Sequence, residues 1–414
     1  MADRRPLMPL DEVLQRLVAG ARAHPIGATE TVSTFDALGR VLAAPVTSAL
    51  DVPPADNTSM DGYALHAADV AEAGALLPVA QRIPAGVVGQ PLPRGSAARI
   101  FTGAQIPPGA DAVVMQEDCE AMAGEGLGAV RVNTVPRAGQ WIRRRGEDIR
   151  RDATVLAQGT RLSAAALGLA ASVGAATLSV VHRPRVALMS TGDELVMPGQ
   201  PLPPGAIYNS NRYLLRGLLQ AAGCEITDFG IIPDRREATI AALREAAIGH
   251  DLILTSGGVS TGEEDHIRPA VQAQGWIENW QVAIKPGKPL AFGGVRCDDG
   301  STALFMGLPG NPVSSFVNFL IAVTPVLRAM QGAAATLPRG MSARADFDWP
   351  RADRRREFLR ARFNEHGGLE LYANQSSGVL SSAVWGDGLI DNPAGATIAR
   401  GDSVRFLPFS ELLG

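Results

Sequence analysis

Residues 10–23 place apolar side chains at Leu10, Val13, Leu14, Leu17, Val18 and Ala21, a single stripe that predicts an amphipathic helix. Short apolar runs at 29–33 and 46–49 predict strands. From 51 to about 140 the runs are brief and cut by glycine and proline, as in Pro91-Leu-Pro-Arg-Gly95 and Ile106-Pro-Pro-Gly109. That texture predicts a β-rich module of short strands and turns. The uncharged run 162–181 predicts a buried helix, a stop at Gly174 and a strand. Its alanine, serine and glycine content is far less apolar than a membrane span. Because this helix resumes the helical character of the start, residues 51–140 read as an insertion.

Beyond 182 the pattern alternates. Apolar runs at 186–190, 225–232, 251–255 and 303–308 predict strands, and 213–222, 236–248 and 313–330 predict helices. This spacing indicates a parallel, doubly wound α/β sheet. After 332 the runs at 343–349, 357–363, 369–373 and 397–408 read as β-structure, with a turn at His366-Gly-Gly368. The organisation expected is multidomain α/β: residues 1–50 and 141–181 as an extended linking domain, 51–140 as an inserted β-rich domain, 182–332 as the α/β domain and 333–414 as a C-terminal β domain. A length of 414 residues suits two to four domains at roughly 150 residues each.

Composition narrows the function. Acidic residues (42) nearly cancel basic ones (38), and 46% of the chain is apolar, which excludes disorder and argues against a nucleic-acid binder. Three scattered cysteines, Cys119, Cys224 and Cys297, give neither a disulfide framework nor a zinc spacing. With no apolar leader after Met1, the expectation is a cytoplasmic protein without a membrane segment. All but two of the basic side chains are arginine, and the two lysines, Lys285 and Lys288, share the hexapeptide Ile284-Lys-Pro-Gly-Lys-Pro289. A compact ammonium is wanted there where a planar guanidinium would not serve.

In an open parallel sheet, ligands bind beyond the carboxyl ends of the strands. Three such ends carry polar, glycine-bearing loops: Ser190-Thr-Gly-Asp-Glu194, Thr255-Ser-Gly-Gly-Val-Ser-Thr-Gly262 and Gly307-Leu-Pro-Gly-Asn-Pro-Val-Ser-Ser315. Backbone N–H groups and hydroxyls in such loops cradle anions. The neighbouring acids Glu194, Asp234 and Asp265 would repel a phosphate unless a divalent cation, magnesium, lay between them. Together with the lysine segment they indicate a phosphate-bearing small molecule. The arginines at 351–362 read either as a solvated edge strand or as an oxyanion pocket. Of six histidines none shows ligand spacing, and only His266, beside Asp265, draws notice.

At these loops the chain resembles the molybdopterin molybdenumtransferase family, the bacterial MoeA proteins and the gephyrin E domain. The resemblance is carried in order by Asp51-Val-Pro-Pro-Ala-Asp-Asn-Thr-Ser-Met-Asp-Gly-Tyr-Ala64, Arg99-Ile-Phe-Thr-Gly-Ala104, Gly109-Ala-Asp-Ala-Val-Val-Met-Gln-Glu117, Ser190-Thr-Gly-Asp-Glu-Leu195, Ser256-Gly-Gly-Val-Ser260, Lys285-Pro-Gly-Lys-Pro289 and Leu308-Pro-Gly-Asn-Pro-Val-Ser314. It implies an elongated homodimer with a molybdopterin-binding α/β domain and a C-terminal β-barrel. The implied reaction joins molybdate to adenylylated molybdopterin and releases AMP with magnesium assisting, the last step of molybdenum cofactor biosynthesis. The implied partners are a molybdopterin adenylyltransferase as donor and downstream molybdoenzymes or their chaperones as recipients.

Carried onto this chain, the resemblance makes Asp61 and Thr102 an acid and hydroxyl offered to the cleft by the second subunit. Glu194, Asp234 and Asp265 position the metal and the pyrophosphate bond. Lys285 and Lys288 neutralise phosphate and molybdate. Ser190, Thr191, Gly192, Ser256, Gly257, Gly258, Ser260, Pro309, Gly310, Asn311, Pro312 and Ser314 form the substrate loops, and Arg355 or Arg360, with Ser377, contacts the oxyanion. The chain departs from the family at Gln281, where a basic residue is common, and at Ala55 and Thr58, where a bulky aromatic and a serine are frequent. Two rival readings are weighed: a related adenylyltransferase or pyrophosphatase, which would need only the α/β domain, and a molybdopterin-binding scaffold or carrier, which would normally carry further linkers.

Overall fold

The apolar stripe at the start forms helix α1 (Leu10–Arg22), with Leu10, Val13, Leu14, Leu17 and Ala21 buried and Asp11 and Glu12 in its first turn, where acids favour the helix dipole. The computed structural model describes residues 7–258, 266–333 and 340–413. α1 packs away from the strands that follow it. Its face shares a core with Trp280, Phe292, Leu327 and Met330 of the α/β body, and the Ile26 N–H donates to the Met330 carbonyl at 2.8 Å. The sequence reading grouped α1 with residues 29–50; in the fold it is a helix of the α/β core.

Thr29–Ser33 pairs antiparallel with Thr177–Val181, and Val46–Thr47 with Thr154–Leu156, so the stretches flanking the insert are zipped together. Helix α2 (Ala164–Ser172) lies over them, capped by the Ser163 hydroxyl, which accepts from the Ala166 N–H. The expected buried helix is corrected: only Ala166 and Ala170 within it are buried, because the small core beneath covers one face.

The insert is a six-stranded sheet in the order Ala112–Met115, Gly62–Leu65, Ala97–Ile100, Ala75–Ile83, Ala129–Val132, Cys119–Met122. Gly62–Leu65 is buried throughout because alternate residues enter two cores, Tyr63 and Leu65 one and Ala64 the other.

The α/β sheet runs Glu225–Ile232, Arg185–Thr191, Leu252–Ser256, Thr302–Leu308, Pro289–Arg296, Gly275–Gln281. The first four are parallel and the last two antiparallel, so the expected all-parallel sheet is mixed. The paired glycines at 293 and 294 hid the strand Pro289–Arg296 from a reading based on apolar runs. Helices α3 (Ser210–Ala221), α4 (Arg236–Ala247) and α5 (Ile267–Gln274) flank the sheet, as does α6 (Pro312–Asn318), which continues through a π-turn into α7 (Thr324–Met330). Pro312–Met330 is long and apolar enough to cross a membrane, but it lies buried in the core beside α1.

The C-terminal sheet orders Ile284–Lys285, Arg356–Phe363, Gly388–Asn392, Ser403–Pro408 and Met341–Arg344, with Leu369–Leu371 also on Arg356–Phe363. The arginine-bearing strand is therefore interior, not the solvated edge considered from sequence. The sheet curls until Ala345 bridges Leu369. That single bridge stands where the barrel reading expected a continuous closing ladder. Ile284–Lys285 pairs parallel with Arg356 and Glu357 and so ties the lysine segment to this sheet.

Candidate active site

Ser190, Ser256 and Leu308 lie side by side in the parallel register, so the three loops leave the sheet at one level. With the lysine segment and residues 375–377 they enclose a cavity of about 860 Å3. Thr191, Gly192 and Glu194 line it from the first loop, Ser256, Gly257 and Gly258 from the second, and Pro309, Gly310, Asn311, Pro312 and Ser314 from the third. Asp234, Lys285, Lys288, Arg355 and Ser377 line it as well. Gly257, at φ +89°, passes the first loop so closely that a Cβ would meet the Thr191 carbonyl oxygen at 2.8 Å.

Several expected residues lie elsewhere. Ser190 is buried beneath the cleft, and its hydroxyl finds no partner among the described residues. Ser260 and Asp265 lie outside the described residues. Asp61 and Thr102 sit together on the inserted sheet, not in this cavity. The Thr102 N–H and hydroxyl both donate to Asp61 Oδ1 at 2.7 Å, and those bonds hold the carboxyl below its ordinary range. Gln281 lies on the outer strand opposite Pro289 and does not line the cavity. His266 caps α5 and makes no side-chain cap bond.

Arg355 and Arg360 are now distinguished. Arg355 lines the cavity. Arg360 is 1% exposed and donates to the Ser382 hydroxyl at 3.0 Å and to the Phe358 and Ser376 carbonyls at 3.1 and 3.3 Å. Burial lowers its pKa to about 10, so it stays charged at neutral pH. It supports the 375–377 loop from behind, and the Val313 N–H donates to the Ser377 carbonyl at 3.0 Å from the front.

The two lysines differ as well. Lys285 Nζ lies 3.0 Å from Glu357 Oε1 and 3.3 Å from Asp353 Oδ2. Arg355 also pairs with Asp353 at 2.9 Å and holds that carboxyl well below the usual carboxylate range. Lys285 and Arg355 are thus balanced by two carboxylates, whereas Lys288 makes no ion pair among the described residues and lines the cavity. Gly287 between them has φ +105°, and a Cβ there would run into Asn318 Nδ2, whose amide donates to the Gly287 carbonyl. Gly287→Ala is expected to cost about 1–3 kcal/mol and to raise KM for the anionic substrate. Urea unfolding with steady-state kinetics checks both; unchanged values would remove the requirement for this backbone shape.

The sequence reading missed Tyr208, Asn209, Ser210, Asn211 and Gln375, all of which line the cavity. Asn211 Nδ2 donates to the Ser256 hydroxyl and to the Gly310 carbonyl, both at 2.7 Å, and so ties two loops together. The available signal was Asn209, an N-cap residue ahead of α3 whose side chain accepts from the Arg212 N–H. Glu194 and Asp234 bring carboxylate oxygens to the cavity lining, but no cluster of three metal-binding side chains exists among the described residues. Two carboxylates fit an ion that completes its shell with substrate phosphates and water, as magnesium does. Burial pushes the thiols of Cys224 and Cys119 up to about 12 and 11, which argues against either as a nucleophile at neutral pH.

Residues 8–174 match the MoeA N-terminal region (domain I and II), 187–329 a probable molybdopterin binding domain, and 342–409 the MoeA C-terminal region (domain IV). A molybdopterin molybdenumtransferase of Haemophilus influenzae is 37% identical over 393 residues, covering 93% of this chain and 95% of that protein. One from Bacillus subtilis is 33% identical, covering 92% and 90%. A crystal structure of the molybdopterin biosynthesis moeA protein from Pyrococcus horikoshii superposes with a TM-score of 0.80 at 28% identity, covering 97% of this chain and 99% of that one.

Proposed function

The chain belongs to the MoeA family, with the activity of a molybdopterin molybdenumtransferase in molybdenum cofactor biosynthesis, and we propose that the 860 Å3 cavity is where molybdate meets adenylylated molybdopterin. The observation that carries this reading is the convergence of three glycine-bearing strand-end loops with the chain's only lysines on one cavity. The loop N–H groups and hydroxyls hold the pyrophosphate, with Glu194 and Asp234 at its flank. Lys288, Arg355 and Ser377 hold the tetrahedral oxyanion, and Lys285 is fixed beside them by Glu357 and Asp353. Holding both reactants against fixed donors supplies proximity and charge stabilisation together. Magnesium, when bound, supplies Lewis-acid polarisation of the phosphoanhydride, with Glu194, Asp234 and Asp265 as its ligands.

The ionised Asp61, held by Thr102, lies on the inserted sheet and would serve the cavity of a second subunit in a homodimer. The C-terminal sheet is read as the family's β-barrel. A molybdopterin adenylyltransferase supplies the substrate in the cytoplasm, and molybdoenzymes or their chaperones receive the product. AMP release from adenylylated molybdopterin, followed with and without molybdate, tests the core of this. Molybdate-dependent release is expected; release indifferent to molybdate would overturn it in favour of a pyrophosphatase, and binding without release in favour of a carrier.

A further inference from the structure

Asn209 and Asn211 open α3 and line the same cavity, at 1% and 8% exposure. Each has one amide atom committed. Asn209 Oδ1 caps the helix by accepting from the Arg212 N–H at 3.1 Å, and Asn211 Nδ2 is spent on Ser256 and Gly310. These bonds fix which way round each amide sits. The other two atoms, Asn209 Nδ2 and Asn211 Oδ1, are buried and have no partner among the described residues. An unmade hydrogen bond at a buried amide costs about 1–3 kcal/mol, so a donor and an acceptor left open on two residues that line one cavity call for a ligand that completes both.

The wall beside them is apolar. Tyr208, its hydroxyl donating to the Gln200 carbonyl at 3.1 Å, lines both this cavity and an adjoining groove of about 430 Å3 shared with Pro198, Tyr213, Phe316 and Val384. A ring anchored in this way offers a stacking face to a planar heterocycle.

We propose that Asn209 and Asn211 read the amidine edge of a stacked heterocycle, Asn209 Nδ2 donating to its ring nitrogen and Asn211 Oδ1 accepting from its exocyclic amino group. This rests on the reading of the cavity as the site for adenylylated molybdopterin, whose adenine and pterin rings both carry such an edge. Both inosine monophosphate, compared with AMP, and lumazine, compared with pterin, replace the amino group by an oxo group and reverse the donor–acceptor order.

The test is binding of these four probes to the full-length protein by isothermal titration. The wild type is expected to prefer AMP over inosine monophosphate, or pterin over lumazine, by about tenfold; whichever pair is discriminated identifies the ring. Asn209→Asp keeps the cap oxygen but turns the open donor into an acceptor, and the preference should fall to near unity. The added charge acts on both nucleotides alike and cancels in the ratio. Tyr208→Leu should weaken the preferred pair about tenfold with the ratio intact. Equal binding within both pairs, or a preference that survives Asn209→Asp, overturns the assignment. Molybdate-dependent AMP release by the wild type is scored separately: release without preference sinks this inference alone, and preference without release sinks the functional reading alone.

Discussion

Lys288→Ala is expected to lower kcat/KM for molybdate-dependent AMP release by about 10²–10³-fold, the usual cost of removing one preorganised charge donor, with the unfolding midpoint unchanged. Lys288 lines the cavity and makes no ion pair among the described residues, so its charge stabilises nothing in the resting fold that a ligand would not. The side chain can go without stranding a partner. Lys288→Arg keeps the charge but spreads it over a plane and should recover only part of the rate. A loss smaller than about fivefold in Lys288→Ala would show that Arg355 alone holds the oxyanion.

Lys285→Ala should behave differently, losing about 2–3 kcal/mol of stability along with activity, since a buried charged group left short of its partner costs at least that of a neutral one. Glu357 is 1% exposed and receives the Trp349 indole N–H at 2.8 Å and the Asn392 amide at 3.3 Å as well as the ammonium. Removing the lysine leaves those two bonds and a buried carboxylate that has lost its ion-pair partner, with Arg355 acting on it only at longer range. The double variant Lys285→Met/Glu357→Leu should recover only part of that stability, because removing both ions spares the desolvation but strands the Trp349 and Asn392 donors, and it should stay inactive. Urea unfolding beside AMP release separates the two effects. Full stability in Lys285→Ala would reduce the Glu357 contact to a surface pair.

What the sequence reveals and what it hides follow from which forces are local. Glu225–Ile232 matches its expected strand and Arg236–Ala247 all but the last residue of its helix, since apolar period and a glycine stop are written in adjacent residues. α3 begins at Ser210, not 213, because Asn209 supplies the cap. Passing over that cap also hid Asn209 and Asn211. Alternation alone sends Arg355 and Arg360 to opposite faces of their strand. Which face meets the cavity depends on Ser382, from a distant short helix, closing over Arg360. The outer strands Pro289–Arg296 and Gly275–Gln281 are held by pairing across the sheet, which no local run of residues records.

The docking of α1 has a consequence for how the chain is made. Its five buried apolar side chains leave the ribosome roughly 300 residues ahead of Leu327 and Met330, against which they pack. At about 5–20 residues per second that is an interval of some 15–60 s during which an amphipathic helix has no surface of its own to cover it. The inserted and extended regions, whose core residues lie between positions 32 and 180, have their whole cores available within that interval. The α/β body closes only after both, around a helix translated well before the rest of it.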